Sequence, residues 1–518
     1  MDVWFLILVT LCVAALLRAT LNLLSSSTHK GKSLPPGPLK FPVVGNFLWL
    51  RKSFSELEPV LRSLHSHYGP IVTLHMGSRA AVFVSSPALA YQALVHSGTI
   101  FADRPPPSAT SRLVSSNQHN INTSFYGPNW RLFRRNLSAE ILHPSRLRAY
   151  SRTRAGVLNV LGAELKSQPG GVVRVVDHFR YAMFSLLVLM CFGDGLEEMQ
   201  IKQIEEVQRQ LLLGQRRFNV LNFWPRLSKL VLRKRWKELY ELCESRKRVL
   251  IPLIKARIKA KGEQLNKAKE DGNDSDWIPS YMDTLLDLDL PEEKRKLKED
   301  EIVSLCWEFL IAGTDSTSTA LQWIMANLVK YPEIQESLYD EIKSVAGQGA
   351  EQVKEEDLQR MGYLKAVVLE GLRRHPPGHF LLPHAVTEDA ELGGYAIPKG
   401  GTINFMVAEM GLDPEVWGDP MMFKPERFLN SGGGRGSSGF DITGSREIKM
   451  MPFGVGRRIC PGLGLAMLHL EYFVANLVWL FQWRTVAGEE VDLSEKLEFT
   501  MVMKYPLRAQ IFPRNLST

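Results

Sequence analysis

Cysteine is scarce in this chain, and the few cysteines are not paired along the sequence. Five occur among 518 residues, at positions 12, 191, 243, 306 and 460, and none forms a Cys-x-x-Cys pattern. Because the number of cysteines is odd and they are scattered along the chain, the sequence argues against a disulfide framework and against a zinc site. The bulk of the chain is therefore expected to fold in a reducing compartment.

The chain also lacks massed positive charge and low-complexity bias. Its formal net charge is +8, and 63 Lys and Arg residues are interspersed with 55 Asp and Glu residues. A nucleic-acid-binding protein concentrates basic residues on one face, so we expect no DNA or RNA partner. With 45% hydrophobic residues, the chain is long and apolar enough to build a large globular core.

A long hydrophobic run lies at the N-terminus. Residues Val3–Leu17 are apolar or small apart from Thr10, and a weaker apolar stretch continues to Leu24. A helix needs about 20 such residues to cross a bilayer, so residues 1–24 are predicted to be a transmembrane anchor. Asp2, and the lack of an Ala-x-Ala-like site after the run, argue against a cleaved signal peptide.

The residues after the anchor indicate its orientation and the domain boundaries. Arg18, Lys30 and Lys32 follow the apolar run, so the positive-inside rule leaves the remaining chain cytosolic. Residues 25–40 are predicted to form a polar linker with a stiff Pro-Pro-Gly-Pro hinge. Residues 41–518 are predicted to form one large domain.

Helical spacing dominates this domain, and a minor β-region accompanies it. Alternating apolar residues in Ile71–Val84 predict a β-hairpin around a Gly-Ser turn. The apolar pattern of Glu299–Lys330 predicts a long helix. The charged stretch Lys255–Glu299 is expected to be an exposed loop between helices.

The sequence Phe-Gly-Val-Gly-Arg-Arg-Ile-Cys-Pro-Gly, residues 453–462, surrounds one cysteine with glycines and arginines. The glycines allow close approach of the backbone to a flat ligand. Pro461 suits the first position of a helix, and the apolar run Leu463–Trp483 is predicted to be that helix. Cys460 would then lie at a helix N-terminus, which favours a thiolate. A lone thiolate suits an axial position on haem iron, although an isolated buried cysteine is ordinarily inert.

The middle of the long predicted helix collects poor helix formers. Ala312-Gly313-Thr314-Asp315-Ser316-Thr317 places glycine and hydroxyl residues where a stable helix would carry Ala, Leu or Glu. Hydroxyl groups that bond back to carbonyl groups commonly mark a local kink or opening. A Ser/Thr-rich turn that ends the helix is the alternative interpretation.

The pattern Phe-x-x-Gly-x-Arg-x-Cys-x-Gly resembles the haem-binding loop of the haem-thiolate monooxygenases, the cytochrome P450 superfamily. The resemblance extends from the anchor to the C-terminus. Three segments are similar in sequence to the plant microsomal enzymes of the A-type group, family eighty-nine: Gly411–Pro414, Phe440–Met451 and His469–Phe473. This resemblance implies a cytochrome P450 fold, mostly α with a minor β-region, as a single large catalytic domain behind the transmembrane helix.

The resemblance also implies a heme b cofactor, held between the Ala312-Gly313 helix and the loop whose Cys460 ligates the iron. Phe453 would pack near the sulfur. Other residues are implied as partners of the haem propionates: Arg458 of the cysteine loop, Trp130 and Arg134 of a Trp-x-x-x-Arg helix, and His384. On pattern alone, Trp130, Arg134 and His384 would be ordinary surface or core residues.

Two further groups of residues follow from the resemblance. Asp315 and Ser316 would supply protons to the oxygen chemistry. Ser316 stands where the family ordinarily has Thr, and it lacks the methyl group that restricts the threonine rotamer. Thr317, which follows it, is the alternative hydroxyl donor. A buried cluster would brace the core on the haem side: Glu370, Arg373 and Arg427.

The implied activity is the insertion of one atom of O2 into a lipophilic small molecule. Electrons from NADPH would come through NADPH-cytochrome reductase in the same endoplasmic reticulum membrane, and lipid would surround the single anchor. Two alternatives stay open: an enzyme of the same fold that rearranges peroxides, and a non-catalytic membrane haem-binding protein. Peroxide-rearranging enzymes of this fold tend to lose the acid–hydroxyl pair, whereas this chain retains it as Asp315 and Ser316.

Overall fold

The computed structural model describes residues 10, 13–14, 33–38, 54–76, 79–193, 195–222, 224–271, 278–429 and 440–514. The predicted anchor over residues 1–24 therefore lies outside the described residues, apart from 10, 13 and 14. Of the predicted linker and hinge, the structure describes residues 33–38.

Helices make up most of the described chain. In chain order they are α1 (Phe54–Tyr68), α2 (Pro87–Tyr91), α3 (Ala109–Val114), α4 (Pro128–Asn136), α5 (Pro144–Ala149), α6 (Ser151–Lys166), α7 (Val175–Phe192), α8 (Glu198–Phe218), α9 (Pro225–Val231), α10 (Arg233–Asp271), α11 (Tyr281–Leu285), α12 (Glu299–Lys330), α13 (Pro332–Ala346), α14 (Gly362–Arg374), α15 (Val407–Gly411) and α16 (Leu463–Leu480).

The strands are short and form small sheets. In chain order they are β1 (Ile71–Met76), β2 (Arg79–Val84), β3 (Val172–Arg174), β4 (Asp289–Leu290), β5 (Arg295–Lys296), β6 (His384–Ala385), β7 (Ala390–Leu392), β8 (Tyr395–Ile397), β9 (Thr402–Phe405), β10 (Phe481–Arg484), β11 (Glu495–Leu497), β12 (Met501–Met503) and β13 (Arg508–Pro513).

The chain is arranged in two compact units, and the smaller one contains residues 1–105 and 383–406. Its main sheet has the strand order β1-β2-β9-β6. Strands β1 and β2 are antiparallel, with Ile71 opposite Val84, which confirms the predicted hairpin. Strand β9 pairs with β2 in parallel and with β6 in the antiparallel direction.

The proline-rich segment 33–38 is fastened to this smaller unit. The Thr73 N–H donates to the Pro36 carbonyl at 2.8 Å, and the Ala396 N–H donates to the Ser33 carbonyl at 3.0 Å. A Cβ added at Gly37 would lie 2.0 Å from the Thr73 carbonyl oxygen, so only glycine permits this close approach. The segment is therefore extended and backbone-bonded.

The larger unit contains residues 106–382 and 407–518, and α12 runs through its core. Most side chains of α12 from Ile302 to Val329 are buried, against core residues of α7, α14 and α16. Among the described residues, α7 and α16 are long and apolar enough to cross a membrane by length and composition. About two thirds of each is buried within the protein (67% and 61%), as in ordinary core helices.

The expectation of an exposed loop over Lys255–Glu299 is wrong for most of its described part. Helix α10 continues to Asp271, and α11 and the β4–β5 hairpin follow. Lys, Arg and Glu are good helix formers, so a charged stretch extends a helix when ion pairs tie it down. Arg257 meets the buried carboxylate of Asp283 at 2.6 Å, and Lys261 meets Asp287 at 2.7 Å.

The helix after the cysteine loop does not begin with Pro461 and ends earlier than predicted. Helix α16 begins at Leu463 with Gly462 as its N-cap, so Pro461 precedes the helix instead of opening it. It ends at Leu480, and the next four residues form β10, which pairs with β13. Phe481 and Trp483 are buried while Arg484 is exposed, and this alternation is typical of a strand.

The segment of poor helix formers does not interrupt α12. The Thr314 hydroxyl donates to the Leu310 carbonyl at 2.7 Å, and the Ser316 hydroxyl donates to the Ala312 carbonyl at 2.6 Å. These back-bonds were predicted, whereas the local kink or opening predicted with them stays a prediction. Because the chain stays α-helical through the segment, the alternative of a helix-ending turn is wrong.

Candidate functional site

The cysteine loop is a tight backbone structure just before α16. Gly454 and Gly456 have φ values of 68° and 73°, in the left-handed region that favours glycine. The Cys460 N–H donates to the Phe453 carbonyl at 2.8 Å, which closes the loop across the intervening turn. The loop therefore holds the cysteine in one place through its backbone.

Burial and nearby polar groups act in opposite directions on the pKa of the Cys460 thiol, and burial is the larger effect. Burial raises the pKa of the Cys460 thiol, whereas a hydrogen bond from the Gly462 N–H and the charge of Arg134 lower it. Gly462 is the N-cap of α16, so this N–H belongs to a helix N-terminus. When a metal ion displaces the thiol proton, the same two groups would stabilise the thiolate that remains.

Helix α4 brings its tryptophan and arginine to the same region as the cysteine. Burial lowers the pKa of Arg134, and the nearby Cys460 raises it in part, which places the two side chains within electrostatic range. Trp130 is 6% exposed, and its indole N–H has no hydrogen-bond partner among the described residues. A buried N–H without a partner is costly and calls for an acceptor.

Arg458 joins this group from the cysteine loop. Its guanidinium lies over the Trp130 ring, 4.6 Å from the centroid. It donates to the carbonyl groups of Ile121 at 3.1 Å and Ser124 at 2.7 Å. Phe453 packs against the main core of the larger unit. The structure therefore brings together Cys460, Trp130, Arg134 and Arg458.

The ligand and donor groups of these residues are chemically suited to binding a haem. A cysteine sulfur near a helix N-terminus can ligate iron, and an unpaired indole N–H with two guanidinium groups can bind propionate carboxylates. The fit rests on the orphaned Trp130 N–H and on the two groups that lower the pKa of the Cys460 thiol.

His384 belongs to the smaller unit, on β6. Its ring is 3% exposed, and its Nδ1 is 2.7 Å from the Phe101 carbonyl oxygen. The ring also meets the edge of Phe405 at a centroid distance of 5.7 Å. These contacts fix the ring orientation within its own sheet.

The two small residues of α12 face different surroundings. Ala312 is exposed although most of its helix is buried. A Cβ added at Gly313 would lie 2.7 Å from a methyl carbon of Leu187 on α7. Close packing of α12 on α7 therefore explains this glycine. Thr317 is buried, at 5% exposure.

Asp315 points into a group of polar side chains that sequence reasoning missed. Its Oδ1 is 3.5 Å from the Arg180 Nε of α7. Burial raises the pKa of the Asp315 carboxyl, whereas the charge of Arg180 and a hydrogen bond from Gln208 of α8 lower it. The one signal for Arg180 was a cation inside the otherwise largely apolar run that forms α7.

The predicted Glu-Arg-Arg cluster is also brought together. Arg373 donates to both Glu370 oxygens, at 2.7 and 2.8 Å, and both side chains are fully buried. Arg427 adds a contact of 3.2 Å to Glu370. The Lys424 N–H also donates to the Glu370 carboxylate, and the Arg373 guanidinium also donates to the Gly411 carbonyl.

The chain is similar to known proteins over most of its length. The profile of a family described as cytochrome P450 matches residues 35–512. Cytochrome P450 89A9 of Arabidopsis thaliana is 52% identical over 502 residues, which cover 94% of each chain. Germacrene A acid 8-beta-hydroxylase of Inula hupehensis is 30% identical over 492 residues, 93% of each chain.

Solved structures share the fold at low sequence identity. A zebrafish cytochrome P450 determined with abiraterone superimposes with a TM-score of 0.72 and 21% identity. The match covers 88% of this chain and 98% of that chain. A zebrafish cytochrome P450 with progesterone gives a TM-score of 0.71.

Proposed function

This chain belongs to the cytochrome P450 family and is a haem-dependent monooxygenase, and we propose that Cys460 is the thiolate that ligates its iron. The observation that carries the assignment is the convergence of Arg134, the Gly462 N–H and the Cys460 sulfur in one loop-and-helix site. When bound, the haem supplies the activation of O2. Cys460, held in place by the backbone of its loop, would supply a thiolate ligand that donates electron density to the iron.

We propose that the propionates are held by donors near this sulfur. The Trp130 indole N–H, without a partner among the described residues, would donate to one carboxylate. Arg134 and Arg458 would supply positive charge and further N–H groups, which satisfy a buried carboxylate better than neutral donors do. His384 stays a prediction as a further propionate partner.

The family implies a redox partner and a lipophilic substrate. We propose that electrons come from NADPH through a cytochrome reductase in the endoplasmic reticulum membrane, with residues 1–24 as a single anchor in lipid, 25–40 as linker and 41–518 as the cytosolic catalytic domain. Product formation that requires both NADPH and the reductase would separate this activity from peroxide rearrangement and from haem binding without turnover.

The anchor gives a testable expectation. Deleting residues 1–24 should release the protein from alkali-washed membranes, because no other long apolar segment in the described residues is exposed enough to insert. Some haem incorporation should remain, and peripheral membrane binding is compatible with this result. The measurement is the fraction of protein in the pellet after alkaline washing, and equal pellet fractions for both proteins would contradict a single anchor.

We propose that Asp315 and Ser316 move protons toward the site. Burial raises the pKa of the Asp315 carboxyl group, and a carboxyl group that binds its proton more tightly is better suited to act as a proton donor. The Ser316 hydroxyl donates to the Ala312 carbonyl, so it must rotate to donate elsewhere. Serine rotates more freely than threonine because it lacks the β-branch.

Ser316→Ala is expected to keep haem and substrate binding but to divert reducing equivalents to hydrogen peroxide, because the hydroxyl that passes the proton is removed. A general acid or base accelerates proton transfer by at least about 100-fold. Coupling, the product formed per NADPH consumed, should therefore fall by about tenfold or more. Ser316→Thr should retain or raise coupling if its methyl group is accommodated. The measurement is product formed per NADPH consumed.

Thr317→Ala is the matched control for this experiment. Adjacent helix positions lie about 100° apart, so Ser316 and Thr317 do not point at the same place. If product per NADPH falls only in Thr317→Ala, the hydroxyl group that passes the proton is that of Thr317 and not that of Ser316.

A further inference from the structure

The β11–β12 hairpin lines a cleft of about 230 Å³ in the larger unit, beside Thr314 and Asp315 of α12. Polar side chains line part of the cleft. Its apolar lining comes from the hairpin and from α7 and α8: Leu497, Phe499, Val502, Phe184, Leu212 and Leu213. Phe499 is 44% exposed and Leu213 is 57% exposed, so this apolar lining is partly open to solvent. Exposed apolar surface of this kind is typical of a place where a ligand binds.

The second strand of the hairpin is fastened to α12. The Trp323 indole N–H donates to the Met501 carbonyl at 2.8 Å, and the hydroxyl groups of Thr319 and Thr500 lie 2.8 Å apart. The side chains that make these bonds are buried, so water does not compete for them. Both bonds involve β12 or the residue before it, and neither reaches β11.

The first strand begins with a carboxylate that lies between two histidines. Glu495 is opposite Met503, at the end of the hairpin away from its turn. The Glu495 Oε1 is 3.2 Å from the His375 Nδ1, and the Glu495 Oε2 is 3.6 Å from the His379 Nε2. Both histidines follow α14, which ends at Arg374. We name Glu495, His375 and His379 the His–Glu–His cluster.

The ring of His375 has a fixed place in this cluster. It is 1% exposed and stacks on the Trp323 indole, with the ring centroids 4.0 Å apart. Burial lowers the pKa of His375 to about 4, and the hydrogen bond with Glu495 raises it in part, so the ring is neutral at neutral pH. A neutral imidazole has one N–H, and a carboxylate only accepts, so this N–H is on Nδ1. His375 therefore donates to Glu495 from a rigid position.

The carboxyl group of Glu495 is ionised in this arrangement. Burial raises its pKa, but the hydrogen bond from His375 and the charges of His379 and Arg374 outweigh burial, so the pKa is lowered. The Glu495 side chain is only 29% exposed. A shielded carboxylate that loses its donors is costly, so the cluster opposes any displacement of β11 from the histidines.

We propose that Glu495, held by His375 and His379, is a positioning residue for substrate binding, which fixes the base of β11 and thereby the width of the cleft beside the hairpin. An apolar part of the substrate occupies this cleft. The proposal rests on the proposed function, the oxidation of a lipophilic small molecule. No member of the cluster belongs to the cysteine loop or to the donors proposed for the propionates.

Apolar contact in the cleft depends on where the hairpin lies. Each CH2 group that becomes fully buried raises the affinity of a ligand about fourfold, which corresponds to about 0.8 kcal/mol. A gap of about 1 Å already removes up to about half of the dispersion attraction between facing atoms. Loosening the base of β11 should therefore weaken the binding of long apolar chains more than the binding of small ligands.

A series of 1-alkylimidazoles, from methyl to dodecyl, measures this contact in the haem-loaded protein. The imidazole nitrogen binds the haem iron and shifts its absorption, which gives a dissociation constant for each chain length. In the unchanged protein, affinity should rise about fourfold per added CH2 group while the chain is being buried. In Glu495→Ala, the rise should fall to about twofold for the longer chains. Affinity for 1-methylimidazole should not change, because it has no chain to place in the cleft.

Two milder variants grade the effect, and one variant is the matched control. Glu495→Gln keeps a carbonyl acceptor for His375 but loses the negative charge, and His379→Leu removes one polar contact. Both should give a chain-length dependence between those of the unchanged protein and Glu495→Ala. Glu489→Ala changes an exposed acid in the loop before β11, which pairs with Arg508 of β13 at 2.6 Å. This control should bind the whole series as the unchanged protein does.

The carbon monoxide spectrum of each variant should remain that of a thiolate-ligated haem. If Glu495→Ala does not retain haem, the two milder variants decide the matter. Equal chain-length dependence in the cluster variants and in Glu489→Ala would overturn the positioning role. A uniform loss of affinity that includes 1-methylimidazole would place the defect at the haem and would overturn it as well.

Failure of the proposed function gives a different result. An unchanged protein without a thiolate spectrum would remove the haem-thiolate chemistry itself. An unchanged protein with that spectrum but no gain in affinity with chain length would show that no apolar cleft receives the ligand, which overturns only the role of the His–Glu–His cluster.

Discussion

The Cys460→Ser protein is expected to lose completely the absorption typical of a thiolate-ligated ferrous haem with carbon monoxide. A serine hydroxyl stays protonated at neutral pH and is a far poorer anionic ligand than a thiolate. The two groups that favour the anion, the Gly462 N–H and Arg134, cannot compensate for an oxygen that holds its proton. The measurement is the reduced carbon monoxide difference spectrum of purified protein.

Cys243→Ala is the matched control. Cys243 is another buried cysteine of the larger unit, on α10, and lies outside the cysteine loop. This variant should keep the thiolate spectrum with at most a modest loss of stability. An unchanged spectrum in Cys460→Ser would show that another side chain ligates the iron.

Glu370→Ala and Arg373→Ala are expected to give aggregated protein without haem. Both side chains are fully buried, and each replacement leaves the charge of its partner without compensation. Breaking a buried ion pair in this way costs about 3–5 kcal/mol, a large part of the stability of an ordinary domain. Glu370→Ala should be the more severe change because Glu370 neutralises both Arg373 and Arg427.

The control for this prediction is an exposed pair of similar spacing. Lys259 and Glu263 of α10 lie 3.8 Å apart, with side chains 80% and 63% exposed. Glu263→Ala should change the unfolding midpoint little, since exposed helix pairs contribute little to stability. Soluble, haem-loaded protein from both core variants, measured by the ratio of haem to protein absorbance, would contradict a structural role for the cluster.

Local patterns predicted the elements that local chemistry determines. The apolar spacing of residues 299–330 gave the bounds of α12, and alternation with a Gly-Ser turn gave the β1–β2 hairpin. The predicted likeness to plant cytochrome P450 enzymes of family eighty-nine is confirmed by 52% identity to an Arabidopsis relative. The cysteine loop was recognisable because its residues are contiguous.

Other features depend on contacts between distant residues. The charged stretch after Lys255 is helical up to Asp271. Its Arg257 pairs with Asp283 of α11, and its Lys261 pairs with Asp287, which follows α11. The partners of Asp315 lie on α7 and α8, far from it in sequence, and no local pattern links them. For the same reason, the position of Pro461 before the helix depends on how the loop closes onto Phe453.

Gly313 lets α12 lie against a leucine side chain of α7. A methyl group at position 313 would lie 2.7 Å from a methyl carbon of Leu187, so the Leu187 side chain would have to rotate away. Arg180 of the same helix α7 contacts Asp315, two residues after Gly313. The glycine therefore permits close packing of the two helices next to this ion pair.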